Sequence, residues 1–226
     1  MKDNSFMYRH PSDKNLFIYE GHYYNGMKII RHRGPLIYNY LQRLDETIQN
    51  SLRNHPYVIA IRIDLKPPCE AADTPKHSDR FIFSRFIDSL KSKIKAKKVN
   101  TERRGCRFHD TTLNYVWTKE FSPENGNPHY HCILFFNQQT FRGLGDFNTN
   151  SQSLFSIIHS AWISAAGLED GPATGLVSIP ENATYGIRRG ERYDDLFYRV
   201  SYFAKLETKL FHQRSHNFGA SRSPRT

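Results

Sequence analysis

The run "NGNPHYHCILFF", residues 125–136, sets a turn-like cluster directly ahead of an uninterrupted apolar stretch. A short apolar run bounded by turn residues reads as a buried strand, because both of its faces must leave water. Every second side chain of a strand lies on one face, so His129 and His131 project together. Such a pair either holds one metal ion or packs as ordinary hydrogen-bonded polar residues. A chain with eleven histidines can place two of them this way by chance, so the pair needs context.

The rest of the chain supplies a fold around that strand. "LFIYEGHYYNGMKIIRHR", residues 16–33, is two β-prone runs around Asn25-Gly26, which predicts a hairpin. Residues 36–53 carry Leu36, Ile37, Tyr40, Leu41, Leu44, Ile48 and Leu52 at helical spacing. "YVIAIRIDL", 57–65, is a strand closed by Pro67-Pro68. A helix over 78–97 follows, its basic end suited to a C-terminal dipole. Strands at 111–121 and 129–136, a helix at 151–166, a short strand at 175–180 and a last helix at 191–211 complete the order βαββαβα after the hairpin and first helix. The pattern predicts an α+β fold. It divides into an N-terminal hairpin and helix extension (1–54), a core (55–212) joined to it in a single domain, and a basic tail (213–226).

Charge and cysteines narrow the function. With 38% apolar and 14% aromatic residues the chain can bury a sizeable core, while 32 Lys and Arg against 22 Asp and Glu leave a net charge of +10. That excess points to a polyanion, nucleic acid before membrane surface, unless it is only a solvated basic exterior. Cys69, Cys106 and Cys132 are far apart and form no C-x-x-C, which supports neither a disulfide framework nor a thiolate zinc site and fits a reducing cytoplasm. No apolar run is long enough for a membrane span, and the first residues lack a signal-peptide core.

A carboxylate and a tyrosine give the histidines company. Strands 111–121 and 129–136 flank "SPENGNP", whose prolines limit ladder pairing and whose Asn125-Gly126 favours a turn, so the two strands form an antiparallel hairpin. A turn centred on Asn125-Gly126 sets Glu120 opposite one histidine, and a turn centred on Glu124-Asn125 sets it opposite the other; a loop of odd length or a bulge turns it away. In "YDDLFYRVSYFAKLETKLF", Leu196, Phe197, Val200, Phe203, Ala204, Leu210 and Phe211 gather on one side of a helical wheel. Tyr198, Tyr202, Lys205 and Lys209 fall on the other, and Glu207 sits on the apolar side without a rationale. A phenol is a weak nucleophile, but a metal that polarises a phosphate and a lysine that steadies anionic charge make its attack feasible.

His129-Tyr130-His131 followed by Tyr202-Phe203-Ala204-Lys205 resembles the HUH endonuclease superfamily of replication initiators, relaxases and transposases. The order, histidines before tyrosine, is that of the initiators. "FSPENGNPHYHCILFFN" with "YRVSYFAKLETK" is most similar to inovirus-type rolling-circle initiation proteins of filamentous phages and prophages, a likeness covering residues 55–222. The resemblance implies an RNA-recognition-like βαββαβ core, a central antiparallel sheet with helices packed on it, whose histidine strand faces a C-terminal nucleophile helix. It implies a metal-dependent endonuclease and strand transferase in the bacterial cytoplasm that nicks single-stranded or extruded origin DNA through a 5′-phosphotyrosine and frees a 3′-hydroxyl. In it His129, His131 and Glu120 would bind Mg²⁺ or Mn²⁺, Tyr202 would attack, Lys205 would assist, and Tyr198 would be a candidate second nucleophile. Asp64 would be either site-adjacent or a solvated strand residue. No G-x-x-x-x-G-K-[ST] is present, so a host helicase, with a host polymerase, would complete replication. A transposase or relaxase, or a non-catalytic basic DNA-binding regulator, are the alternatives.

Overall fold

A computed structural model of the chain describes residues 6–68, 81–122, 126–149, 151–168, 175–207, 209 and 216–222. In chain order these form β1 (Met7–Arg9), β2 (Phe17–Tyr19), β3 (Tyr23–Tyr24), β4 (Met27–Lys28), β5 (Leu36–Ile37), α1 (Tyr38–Asn54), β6 (Tyr57–Leu65), α2 (Ile82–Arg103), β7 (Asn114–Phe121), β8 (Pro128–Asn137), α3 (Leu154–Ala165), β9 (Val177–Ser178), β10 (Thr184–Arg188), α4 (Asp194–Ser201), a 3₁₀ turn (Tyr202–Ala204) and β11 (Phe218–Ala220). The fold is mixed α+β around a central antiparallel sheet of order β10-β6-β8-β7-β11, with β9 also on β6.

Alternation along the central strands sorts their side chains onto two faces. Ile59, Ile61, Ile63, Tyr130, Cys132, Leu134 and Phe136 pack with Phe86 and Leu90 of α2 and Trp162 of α3. Val58, Ala60, Val116, Ile133 and Phe135 pack on the opposite face with Leu41, Leu44 and Ile48 of α1 and Phe197 and Val200 of α4. Both faces of β6 and β8 are therefore dry, which is why these strands are almost continuously apolar. His129, His131, Arg62, Asp64 and Glu120 share the parity of the second face and extend it beyond the last apolar layer.

The hairpin expected over 16–33 is much shorter. Only Tyr23–Lys28 pairs, across Asn25 and Gly26, both at positive φ (50° and 74°), as a two-residue hairpin turn requires. Phe17–Tyr19 is drawn away into a separate sheet with β1 and β5. Leu36 and Ile37, assigned to the first helix, are a fully buried strand instead, and the helix starts at Tyr38. The second helix runs on to Arg103, ending at a Gly105 of φ 72°. Ser153 caps α3, its hydroxyl accepting the N–H of Ser156 at 3.1 Å.

Two further differences concern the edges. The short strand expected at 175–180 is only Val177–Ser178. It is followed by the unforeseen β10, whose register on β6 is offset from that of β9 so that residues 179–183 bulge opposite Arg62 and Ile63. The basic tail is partly structural, for Phe218–Ala220 adds the outer strand to β7, while residues 213–215 and 223–226 lie outside the described residues. Ile30 N–H donates to Ser201 Oγ at 3.0 Å in a buried contact, and Leu36 bridges to Lys205. Among the described residues no helix is long and apolar enough to cross a membrane, and Cys106 and Cys132 are free thiols; Cys69 lies outside them.

Candidate active site

The β7–β8 hairpin fixes the first half of the site. Its register pairs Glu120 with His129 and Thr118 with His131, and β6 pairs Asp64 with His131. Of the two even registers expected, the strands adopt the one that sets Glu120 opposite His129, and Ser122 N–H donates to Asn127 O and Gly126 N–H to Ser122 O, both at 2.9 Å. Even parity is what keeps the Glu120 carboxylate on the histidine face.

His131 is held by two carboxylates. Its Nδ1 lies 2.8 Å from Asp64 Oδ1 and its Nε2 3.5 Å from Glu120 Oε2. Burial alone would lower the His131 pKa, but hydrogen bonds to Asp64 and Glu120 outweigh it and hold the imidazole above its ordinary range. The reciprocal effect acts on Asp64. Burial pushes its carboxyl up, and His131 with Arg62 more than compensates, leaving it below the usual value. His129 is less enclosed, and burial followed by the charges of Lys66 and His131 depresses its pKa.

The second half arrives from the end of α4. The helix expected to run through 211 stops at Ser201, tightens into one 3₁₀ turn and leaves helical geometry at Lys205 (φ −54°, ψ 131°), where the backbone bridges to Leu36. Tyr202 nevertheless reaches His131. Its hydroxyl faces Glu120 Oε2 at 3.5 Å, the outer limit of a hydrogen bond, and its ring meets His131 edge-on at 5.9 Å. Burial, then Glu120, raises the phenol's pKa, while the Arg33 and Arg62 charges pull it back. Lys205, nearly buried, sets Nζ 5.6 Å from the Tyr202 ring and 3.3 Å from Glu207, which is exposed because no helix continues there.

Tyr198 is not gathered with these groups. Its ring meets Lys28 of β4 at 5.8 Å, and its carbonyl accepts the Ser201 hydroxyl. Two residues outside the expected site are inside it. Arg62 lies 5.8 Å from both the Tyr202 and Phe203 rings, and its Nε is buried without a hydrogen-bond partner. Its signal in the sequence was parity, since Arg62 and Asp64 alternate in "IRIDL". Lys209 reaches Glu120 Oε1 at 3.3 Å from a chain that has already left the helix. Burial lowers the Lys209 pKa to about 8, with Glu120 resisting.

The donor chemistry suits a divalent ion. His131 Nε2 and Glu120 Oε2 converge, and Asp64 on Nδ1 is the outer partner that metal-bound imidazoles use to fix their tautomer. His129 shares the face, but among the described residues no three His, Cys, Asp or Glu side chains are gathered closely enough to form a ready ion cluster.

The model of the YagK/YfjJ C-terminal domain matches residues 19–221, nearly the whole chain. The chain belongs to that family. It is 35% identical to the uncharacterised protein YfjJ of Escherichia coli K12 over 81% of its own length and 93% of that protein's. It is 32% identical to the uncharacterised YagK of the same strain, over 83% and 94%. The match of this YagK/YfjJ-family chain crosses residue 54 without a break, as the fold does. No solved structure matches it.

Proposed function

We propose that the chain is an HUH-type nicking and joining enzyme that opens single-stranded or extruded origin DNA, as inovirus-type rolling-circle initiators do. The observation that carries this reading is the convergence on one carboxylate: Tyr202 Oη and His131 Nε2 each lie 3.5 Å from Glu120 Oε2. The sheet order β10-β6-β8-β7, antiparallel throughout, supports an RNA-recognition-like βαββαβ core, with α2 and α3 on one face and the tyrosine element on the other.

His129, His131 and Glu120 would hold a Mg²⁺ or Mn²⁺ ion, which when bound polarises the scissile phosphate. The remaining work belongs to the chain. Tyr202 Oη attacks phosphorus, the P–O3′ bond breaks, and a 5′-phosphotyrosine forms. The phenol proton leaves toward the Glu120 side, and the departing oxygen is protonated to the free 3′-hydroxyl. Arg62 and Lys205, one on either element beside the Tyr202 ring, stabilise the anionic phosphate during transfer.

The test is a denaturing gel of protein mixed with single-stranded origin fragments and Mn²⁺, followed by mass spectrometry of the adduct peptide. Wild type and Tyr198→Phe should form a covalent adduct at Tyr202, and Tyr202→Phe should form none. DNA attached to Tyr198 in the first cleavage, or no adduct in any protein, overturns the assignment. Strand-transfer products rather than a single origin nick would indicate a transposase or relaxase.

A further inference from the structure

A cavity of about 700 Å³ lies at the other end of β7 from Glu120. Asn114, which lines it, is six residues from Glu120 along the strand, about 20 Å at the rise of an extended chain. Its walls are one face of α2, the segment leading into β7, and the chain just after β11.

Three features of its lining bear on what it could hold. Lys91, Lys95 and Lys98 stand at helical spacing along the α2 wall, and Arg222 closes the cavity from the C-terminal strand. Lys98 is neutralised by Asp110 at 2.5 Å, but among the described residues Lys91, Lys95 and Arg222 have no ion-pair partner. Aromatic surface comes from Phe108 and Tyr115, both half-buried in the lining. Finally Asn114 is 6% exposed, and its Nδ2 is buried without a hydrogen-bond partner. A buried amide donor left unpaired carries a desolvation cost that a ligand acceptor would remove.

We infer that this cavity binds one nucleotide unit, its base against Phe108 and Tyr115 with an acceptor on Asn114 Nδ2, and its phosphate among Lys91, Lys95 and Arg222. The volume suits one nucleotide, and cations beside aromatic faces are the pairing that single strands use. The inference rests on the proposed action on single-stranded DNA for its source: the unit belongs to the strand whose scissile phosphate lies at Tyr202.

The experiment uses Tyr202→Phe protein, so that no chemistry intervenes, and an origin oligonucleotide carrying iodo-deoxyuridine at successive positions. Ultraviolet cross-links mapped by mass spectrometry should fall on Phe108 or Tyr115 for one position on one side of the nick. The Lys91→Ala/Lys95→Ala/Arg222→Ala protein, with an unchanged melting temperature, should lose that cross-link, bind the oligonucleotide on the order of tenfold more weakly, and show a salt slope smaller by about one to two. A second arm offers a deoxynucleoside monophosphate alone. Tyr115 resonance shifts that the triple variant abolishes, with no oligonucleotide cross-link, would keep the nucleotide site and make its source a free nucleotide. Cross-links that avoid the cavity, with no shift from the monophosphate, overturn the inference. Wild-type protein that cross-links here yet forms no Tyr202 adduct keeps it and sinks the nicking reading.

Discussion

His131 meets different partners on its two ring nitrogens, and the asymmetry gives Asp64 a place that parity alone left open. Asp64 sits on Nδ1 and so orients the ring, leaving Nε2 for the Glu120 side. Under the nicking reading, Asp64→Asn should weaken Mn²⁺ binding and adduct formation by on the order of 10–100-fold while the fold persists. Isothermal titration with Mn²⁺ reads the first effect, and equal affinity in both proteins contradicts the orienting role. A second residue predicts a pH effect far from the site. His55, which caps the end of α1, accepts the Thr112 N–H on Nε2 at 2.9 Å and must be neutral to do so. Burial first, and Arg189 next, hold its pKa below the ordinary 6.5. The unfolded chain therefore binds more protons between the lowered pKa and 6.5, so this contribution is complete above 6.5 and is lost as the pH falls. Melting temperature should drop more steeply in wild type than in His55→Asn between roughly pH 7 and pH 5. Parallel slopes would mean His55 titrates alike folded and unfolded.

At the scale of elements, β11 depends on a missing side chain. Gly219 pairs with Trp117, and a Cβ there would stand 2.6 Å from the indole Nε1 and 2.8 Å from Cε2. The ring is a rigid neighbour, so Gly219→Ala should cost about 1–3 kcal/mol by overpacking and loosen β11 from β7. Amide exchange along Val116–Lys119 should accelerate in the variant; protection equal to wild type would show that the indole yields at no cost. The strand matters beyond its length, because the stacking of Tyr40 on Phe218 (centroids 4.1 Å apart) and the Arg43 guanidinium donating to Ser221 O tie it to α1. The end of α4 is a comparable case. Helical periodicity carried the tyrosines, Lys205 and Lys209 on a single wheel, but Lys205 gives up its helical conformation to bridge Leu36, and Lys209 comes to Glu120 by a different path.

For the whole molecule, the N-terminal 54 residues are part of one body with the sheet. They lay α1 on the face that carries the site and bring the Arg33 charge to bear on Tyr202. With a net charge of +10, binding to single-stranded DNA should fall steeply as salt rises and exceed binding to blunt duplex. Filter binding across a salt series measures both, and equal, salt-insensitive affinities would remove nucleic acid as the partner. Under the nicking reading, chelator should abolish cleavage while leaving most of that affinity, since the basic surface would supply it through phosphate contacts. Undiminished cleavage in chelator would make the histidines structural.

The sequence by itself determined the long strands of the central sheet, the existence of its major helices and the shared face of His129 and His131, which Glu120 joins through an even turn; Asp64 reached that face only through the pairing of β6 with β8. Those follow from local rules: apolar runs between turn residues, helical spacing, and a period of two whose parity an even turn preserves. Tertiary structure alone decided where helices and edges stop. Leu36 and Ile37 are as apolar in a strand as in a helix, and Lys205 leaves the helix for a partner 169 positions away in the chain. Likewise β10 and β11 are short and mixed in polarity, so their strand character comes from the open edges of β6 and β7 that they cover. Arg62, Lys209 and the cavity beside Asn114 join residues from separate elements, and such meetings exist only once the chain has closed on itself.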